Sequence, residues 1–307
     1  MYLFQLADRI SRGLQRLSPE RLALHRQFIQ SRQGEDGGFC GREGGSDLYY
    51  SGFAVRGLAV SGGIDPTVCA QFSRYLQSIS PLKLGVIDLL SWLYGALVVQ
   101  AASGEDLLPE DSSDFVTQAS RRLESLRTAD GGYAKSEEGA AGSTYQSFLV
   151  SLAYEMIGQE QPRPNALIQF LYDRQRDDGG FVEIAPMRRS GTNPTAAAVA
   201  LLNKLHAMDE DIRDDVLEFL KDVVSPEGGF QANTRIPFGD GLSTFTGLLT
   251  AQDLGRRDLI RPEDLRDWVE QTLELRDGGF RGASWDQQAD VEYTFYGLGI
   301  LGLLYAN

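Results

Sequence analysis

Apolar residues recur at helical spacing along almost the whole chain, in segments of two kinds that alternate. Segments of the first kind are charged on one face, as in Asp211 to Val224 (DIRDDVLEFLKDVV); such a helix lays an apolar stripe on a core and turns its charges to water. Those of the second kind are apolar nearly all round, as in Pro194 to Leu202 (PTAAAVALL) and Val291 to Leu304, the pattern of a helix buried on every side. The spacing predicts outer helices from Ser18-Pro19-Glu20 to about Ser31, then over roughly 67–79, 112–126, 164–175, 211–224 and 262–275. Inner helices are expected just after Asp47, Asp88, Ser143, Asn193, Asp240 and Asp290, residue types whose side chains cap a first helical turn for about 1 kcal/mol each. Residues 1–17 form a further amphipathic helix, expected on the outside of the fold or across one of its ends.

The junctions between the two kinds carry a repeat. A Gly-Gly-aromatic turn occurs at Gly37-Gly38-Phe39, Gly131-Gly132-Tyr133, Gly179-Gly180-Phe181, Gly228-Gly229-Phe230 and Gly278-Gly279-Phe280, so the first glycines lie 94, 48, 49 and 50 residues apart. The longest interval is two periods, and one unit has lost its glycines. It falls at Ser80 to Val99, where DLLSWLYGAL from Asp88 aligns with DLYYSGFAVR from Asp47. Six helix pairs at this period mean that no unit buries its apolar face alone. The expected fold is all-α, a closed (α/α)6 toroid of six inner and six outer helices forming a single domain over 1–307; an open arc is the alternative.

Composition narrows the partners. A formal charge of −14 over 307 residues disfavours nucleic acid and anionic membrane surfaces. No uninterrupted apolar span or leader is read in the N-terminal segment, and no transmembrane segment elsewhere. Cys40 and Cys69 have neither disulfide-framework nor zinc-knuckle spacing, which fits a reducing, cytoplasmic setting.

In a ring the inner helices run one way, so their N-termini and the preceding loops gather at one end, where partial positive charge suits an anion. The loops there carry Arg42, Arg188, Arg189, Arg235 and Arg281. These are either an anion site or loop residues paired with Glu43, Glu183, Asp240 and Asp286. Aromatics follow the caps: Tyr49, Tyr50, Phe53, Trp92, Tyr94, Tyr145, Phe148, Phe245, Tyr293 and Tyr296. They would line a cavity for an unsaturated ligand or simply fill the middle of the fold, while the small side chains at Thr195 to Ala198 would leave room.

Capped inner helices after Gly-Gly-aromatic turns, over roughly residues 15 to 305, resemble the prenyltransferase and squalene-cyclase repeat superfamily, and most nearly the β subunits of protein prenyltransferases. That resemblance implies an isoprenoid diphosphate as ligand and a catalytic zinc held by an Asp, a Cys and a His. In the matching segments Asp240 is kept, but Leu242 stands in the thiolate slot and Tyr293 in the histidine slot. Leucine cannot ligate, so Zn2+ is not expected. Asp240, Asp290 and Glu292 are the set that would take a hard cation such as Mg2+; their other reading, for the two aspartates, is as helix caps. In the family's diphosphate-binding loops Tyr145 keeps an aromatic slot, whereas a basic position reads Gly142 and a histidine position Gly191, leaving Arg188, Arg189 and Arg235 as substitutes in shifted places. The Asp-x-Asp-Asp acid of the terpene cyclases does not occur, and His25 and His206 are expected on outer helices.

Three readings follow. The first is a prenyltransferase-like protein that binds an isoprenoid diphosphate through Arg188, Arg189, Arg235 and Arg281 with Tyr49, Trp92, Tyr145, Phe245 and Tyr296, and transfers the prenyl group without zinc. The second is a non-catalytic scaffold with a protein partner or a homo-oligomeric interface. A third is a terpene-cyclase-like enzyme with Asp290 or Glu292 as the acid; Asp240, Asp290, Glu292 and Tyr293 are thus the catalytic candidates.

Overall fold

The computed structural model describes residues 1–108 and 112–306. It is all-helical: among the described residues there are thirteen α-helices and no strand longer than an isolated bridge. An accessory helix α1 (Tyr2–Leu14) precedes α2 (Pro19–Gln30), and inner and outer helices then alternate. The inner ones are α3 (Leu48–Ser61), α5 (Val86–Ser103), α7 (Thr144–Met156), α9 (Thr192–Lys204), α11 (Gly241–Asp253) and α13 (Val291–Tyr305). With α2, the outer ones are α4 (Pro66–Gln77), α6 (Ser112–Ser125), α8 (Pro164–Tyr172), α10 (Glu210–Asp222) and α12 (Pro262–Trp268), the last continued by a π-helical turn over Val269–Leu273. At 18 residues, α5 is long and apolar enough to cross a membrane, but 61% of it is buried inside the protein, as a core helix would be.

Each Gly-Gly-aromatic turn is a packing device. Its first glycine has a positive φ, 92° at Gly131 and 82° at Gly179. A Cβ there would meet the backbone of the next outer helix in four of the turns, 2.2 Å from Asp215 O in the case of Gly179, and the Trp268 side chain at Gly228. The second glycine is the seat of an aromatic ring from that same outer helix: Tyr75 on Gly38, Phe170 on Gly132, Phe219 on Gly180, Trp268 on Gly229. The turn after α12 obeys the same rule with the first outer helix, since Gly278 lies against Leu24 O and Gly279 against Phe28, both of α2. The last unit therefore treats α2 as its next neighbour.

The aromatic residue of the turn is fully buried in all five cases. Its backbone N–H donates to a buried hydroxyl one turn into the following inner helix: Phe39 to Ser51 (2.8 Å), Tyr133 to Ser147 (2.9 Å), Phe181 to Thr195 (2.9 Å), Phe230 to Thr244 (2.9 Å) and Phe280 to Thr294 (3.1 Å). An unpaired buried N–H costs about 1–3 kcal/mol, so the hydroxyl belongs to the repeat as much as the glycines do. The glycine-less unit has Trp92 in that slot, and its indole N–H donates instead to Leu76 O at 3.0 Å.

Four caps form as expected: Asp47, Ser143, Asp240 and Asp290 accept the N–H groups of Tyr50, Gln146, Ser243 and Tyr293. Two do not. Helix α5 starts three residues early with Gly85 as its cap, leaving Asp88 in the first turn, and α9 starts after Gly191, with Asn193 accepting from the Thr246 hydroxyl instead. His206 also differs from expectation, lying at φ 54° in the link after α9 rather than on an outer helix.

The described chain forms two compact units, Met1–Gln118 with Val269–Asn307, and Ala119–Trp268. In the first, α13, α3 and α5 pack side by side in that order, with α1 laid across α13 and α3. Ile10 and Leu14 of α1 are fully buried, and Phe4 stacks on Tyr94 of α5 at 5.4 Å. Unit one is tied across its chain ends by His25, whose Nδ1 accepts the Gly279 N–H at 3.0 Å while Nε2 lies 3.0 Å from Glu274, itself bound by Arg21. In the second unit α7, α9 and α11 pack side by side in that order.

Candidate functional site

In the first unit the N-terminal ends of α3 and α13 come together around Arg42. Its Nε donates to Asp290 at 2.9 Å and its Nη atoms to the two oxygens of Asp286, and the guanidinium sits 5.9 Å from the Tyr293 ring. Arg281 is also engaged: it donates to the backbone carbonyls of Thr272 and Asp286. Two of the five loop arginines are thus engaged within the chain, Arg42 by the carboxylate pairing expected and Arg281 by backbone carbonyls. Asp286 is one of the expected partners, and its carboxylate stays below the ordinary range although burial opposes this, because Arg42 and the N–H groups of Gln288 and Gly282 favour the charge.

Behind this clamp stands Glu292, which accepts the Tyr49 hydroxyl at 2.8 Å. Tyr49, Phe53 and Tyr296 form an edge-to-face cluster beside it, with centroids 5.1 Å (Tyr49–Phe53) and 5.3 Å (Phe53–Tyr296) apart. Burial pushes the Glu292 carboxyl up, against the hydrogen bonds of Tyr49 and Tyr296, and the nearby Asp290 charge adds to the rise. Asp290, 4% exposed, is pushed up by burial and pulled down by its capping bond and Arg42. Among the remaining candidates, Trp92 is committed to the outer layer, bound to Leu76 and 6.3 Å from Phe115, and Phe245 is buried.

The second unit presents a different surface. The loop before α9 bonds back to the start of α7, with Thr144 N donating to Glu183 O at 3.0 Å, and the loop before α11 bonds the start of α9, with Thr192 N donating to Ala232 O at 2.9 Å. The N-terminal ends of α7, α9 and α11 are thereby held at one end of the unit. On these loops Arg188 and Arg235 are exposed, and Arg189 donates to Thr234 at 3.2 Å. Large apolar side chains are exposed beside them: Tyr145, Ile184, Met187, Ile236 and Phe238, each about 40% accessible. Solvent-exposed cations among exposed apolar groups are suited to an amphiphile with an anionic head.

Sequence reasoning passed over Arg56. Among the described residues it is the one arginine within an inner helix, on the same face of α3 as Tyr49 and Phe53, and lies 5.5 Å from the Phe53 centroid and 5.1 Å from that of Tyr94. Its Nε is buried without a hydrogen-bond partner. A lone charge in an otherwise apolar helix was the available signal.

The comparisons agree with this architecture. Residues 187–307 match the family model of the prenyltransferase alpha-alpha toroid domain. The fold is that of the prenyltransferase-type α/α toroids. Candida albicans protein geranylgeranyltransferase-I, complexed with GGPP, is similar at TM-score 0.67 and 17% identity over 92% of this chain and 90% of that one. A variant of the type II terpene cyclase MstE from Scytonema, in complex with geranylgeranyl dihydroxybenzoate, is similar at TM-score 0.61 and 13% identity over 98% of both chains. An alpha-1,6-mannanase from Salegentibacter sp. HEL1_6 reaches TM-score 0.61 at 13% identity over 92% of this chain and 98% of its own. No curated protein matches the sequence. A toroid shared by prenyl and glycan enzymes fixes the scaffold, and the side chains must decide the chemistry.

At the positions that match the zinc ligands of the resembling β subunits, this chain has Asp240, Leu242 and Tyr293. Asp240 turns its Oδ1 to the Ser243 N–H at 2.8 Å, Leu242 offers no donor, and the Tyr293 ring lies beside Arg42. Asp240, Asp290 and Glu292, expected as a hard-cation set, do not form one either. Among the described residues no group of three or more His, Cys, Asp or Glu is placed to hold a metal ion. The two aspartates are spent on their own helix ends and Glu292 on Tyr49.

Proposed function

We propose that the protein binds an isoprenoid diphosphate, with Arg188, Arg189 and Arg235 receiving the diphosphate. The observation that carries this reading is the surface of the second unit, where exposed arginines stand among exposed Tyr145, Ile184, Met187, Ile236 and Phe238 at the N-terminal ends of inner helices, in a chain of net charge −14. Helix N-termini add partial positive charge where the head group would lie. The likeness to a geranylgeranyltransferase complexed with GGPP supports it at the level of fold. Structural likenesses covering 92–98% of the chain also favour treating 1–307 as one toroid domain.

If a prenyl group is transferred, the arginines stabilise the departing diphosphate and aromatic faces such as Tyr145 shield the allylic cation. With leucine in the thiolate slot, no zinc lowers the pKa of an acceptor thiol, so an acceptor other than a protein cysteine is favoured. Arg281, bound to backbone carbonyls, drops out of the ligand set. The test is titration with farnesyl and geranylgeranyl diphosphate against wild type and Arg235→Ala. A protein-docking scaffold is the second reading, favoured by the same exposed apolar loops; heat-silent titrations would support it.

A further inference from the structure

We infer that Arg56 is an anion-recognition residue inside the first unit, taking a carboxylate or phosphate oxygen carried on an aromatic or unsaturated body. Its site is separate from the arginine loops of the second unit and goes beyond the reading above. Arg56 shares a face of α3 with Tyr49 and Phe53, by the i, i+4, i+7 spacing. Phe53 and Tyr94 lie 5.5 and 5.1 Å from the guanidinium carbon. Tyr94 is in turn stacked by Phe4 of α1 at 5.4 Å, and Phe53 meets Tyr296 of α13 edge-to-face at 5.3 Å. Two rings thus flank the cation, and rings from α1 and α13 back them.

What this cation lacks is an anion. Two other arginines of the unit are paired with carboxylates: Arg21 with Glu270 and Glu274, Arg42 with Asp286 and Asp290. Among the described residues no carboxylate pairs with Arg56, and its Nε is buried with no acceptor. Aromatic rings hold a guanidinium in place without accepting its in-plane N–H bonds. A guanidinium needs planar acceptors, and a carboxylate or phosphate supplies them in bidentate geometry. A buried donor left without a partner calls for one from outside the chain, and the surrounding rings select the body that carries it.

The experiment uses three probes of one size that differ in head group: benzoate, phenyl phosphate and benzyl alcohol, followed by ligand-observed NMR against the full chain. At least one oxyanion should bind about tenfold or more tightly than benzyl alcohol, and the better of the two separates carboxylate from phosphate. In Arg56→Met the preference should vanish with the melting temperature kept. Arg56→Lys should retain part of it, and serves as the folded reference should Met prove disruptive. An Arg188→Ala/Arg235→Ala double variant should keep the preference, which separates this site from the proposed diphosphate loops. Equal binding of all three probes to wild type, or a preference that survives Arg56→Met or is lost in the double variant, would overturn the assignment.

Discussion

The contact between α1 and α13 makes a sharp prediction. Helices α1 and α13 touch at Gly13 and Gly302, and a Cβ on Gly13 would lie 1.8 Å from Gly302 O, 2.6 Å from its carbonyl carbon and 3.0 Å from Ala306 N. All three are backbone atoms near the end of a buried helix, so Gly13→Ala must lift α1 away. Docking of α1 buries Ile10 and Leu14, which are 0% and 1% exposed. Full burial of such a side chain is worth about 1.5–3 kcal/mol, so complete undocking forfeits about 3–6 kcal/mol from these two, and partial lifting less. Helix propensity runs the other way, favouring Ala over Gly by about 1 kcal/mol. The sign of the result therefore separates packing from propensity. The assay is urea unfolding together with limited trypsinolysis, which reads Arg9 and Arg12 of α1 and Arg16 just after it. Early cleavage there and a lower first unfolding transition are expected. The reasoning fails if Gly13→Ala unfolds within about 0.5 kcal/mol of wild type and resists trypsin equally, as a surface control at Gln15 should.

Further outcomes follow from the same geometry. Thr244→Val removes the acceptor of the buried Phe230 N–H and should cost about 1–3 kcal/mol in denaturant unfolding, with an unchanged midpoint speaking against the shared turn register. Glu292 has a folded-state pKa raised by burial, so its contribution to stability is full below the unfolded value of about 4.3 and is lost as pH rises through the folded value. Glu292→Gln should therefore gain stability relative to wild type at neutral pH, with the gain shrinking in acid; a pH-independent difference would contradict this. Arg281→Ala should lower the melting temperature while leaving diphosphate binding intact, and Arg235→Ala should do the reverse, as thermal melts and titrations on the same samples would report.

Much of the scaffold was readable because its constraints are local. Paired glycines at Gly131-Gly132 or Gly179-Gly180 answer to a positive φ and a ring seated overhead, and both demands exclude other residues. Caps such as Asp47 and Asp290 were legible for the same reason. The hydroxyl at Ser51, Ser147, Thr195, Thr244 and Thr294 went unread because serine and threonine alternate and look ordinary in a helix, although its position four after the cap never varies in these five units. Asp88 and Asn193 misled because a good capping type was available while glycine just upstream, at Gly85 and Gly191, took the position. The arginines divided by tertiary partners that no local pattern encodes: Arg42 finds Asp286 and Asp290 some 240 residues away, whereas Arg188 and Arg235 remain exposed. Arg56 needed Tyr94 from another repeat to be noticed.

Calorimetric titration of the metal-stripped protein with farnesyl and geranylgeranyl diphosphate, repeated with added Zn2+ and Mg2+, tests the central claim most directly. Binding in the micromolar range or tighter, weakened about tenfold or more by Arg188→Ala or Arg235→Ala and indifferent to zinc, is the result expected of a diphosphate site built on arginines. Absence of heat with both ligands under every condition, or binding that both variants leave unchanged, would contradict it.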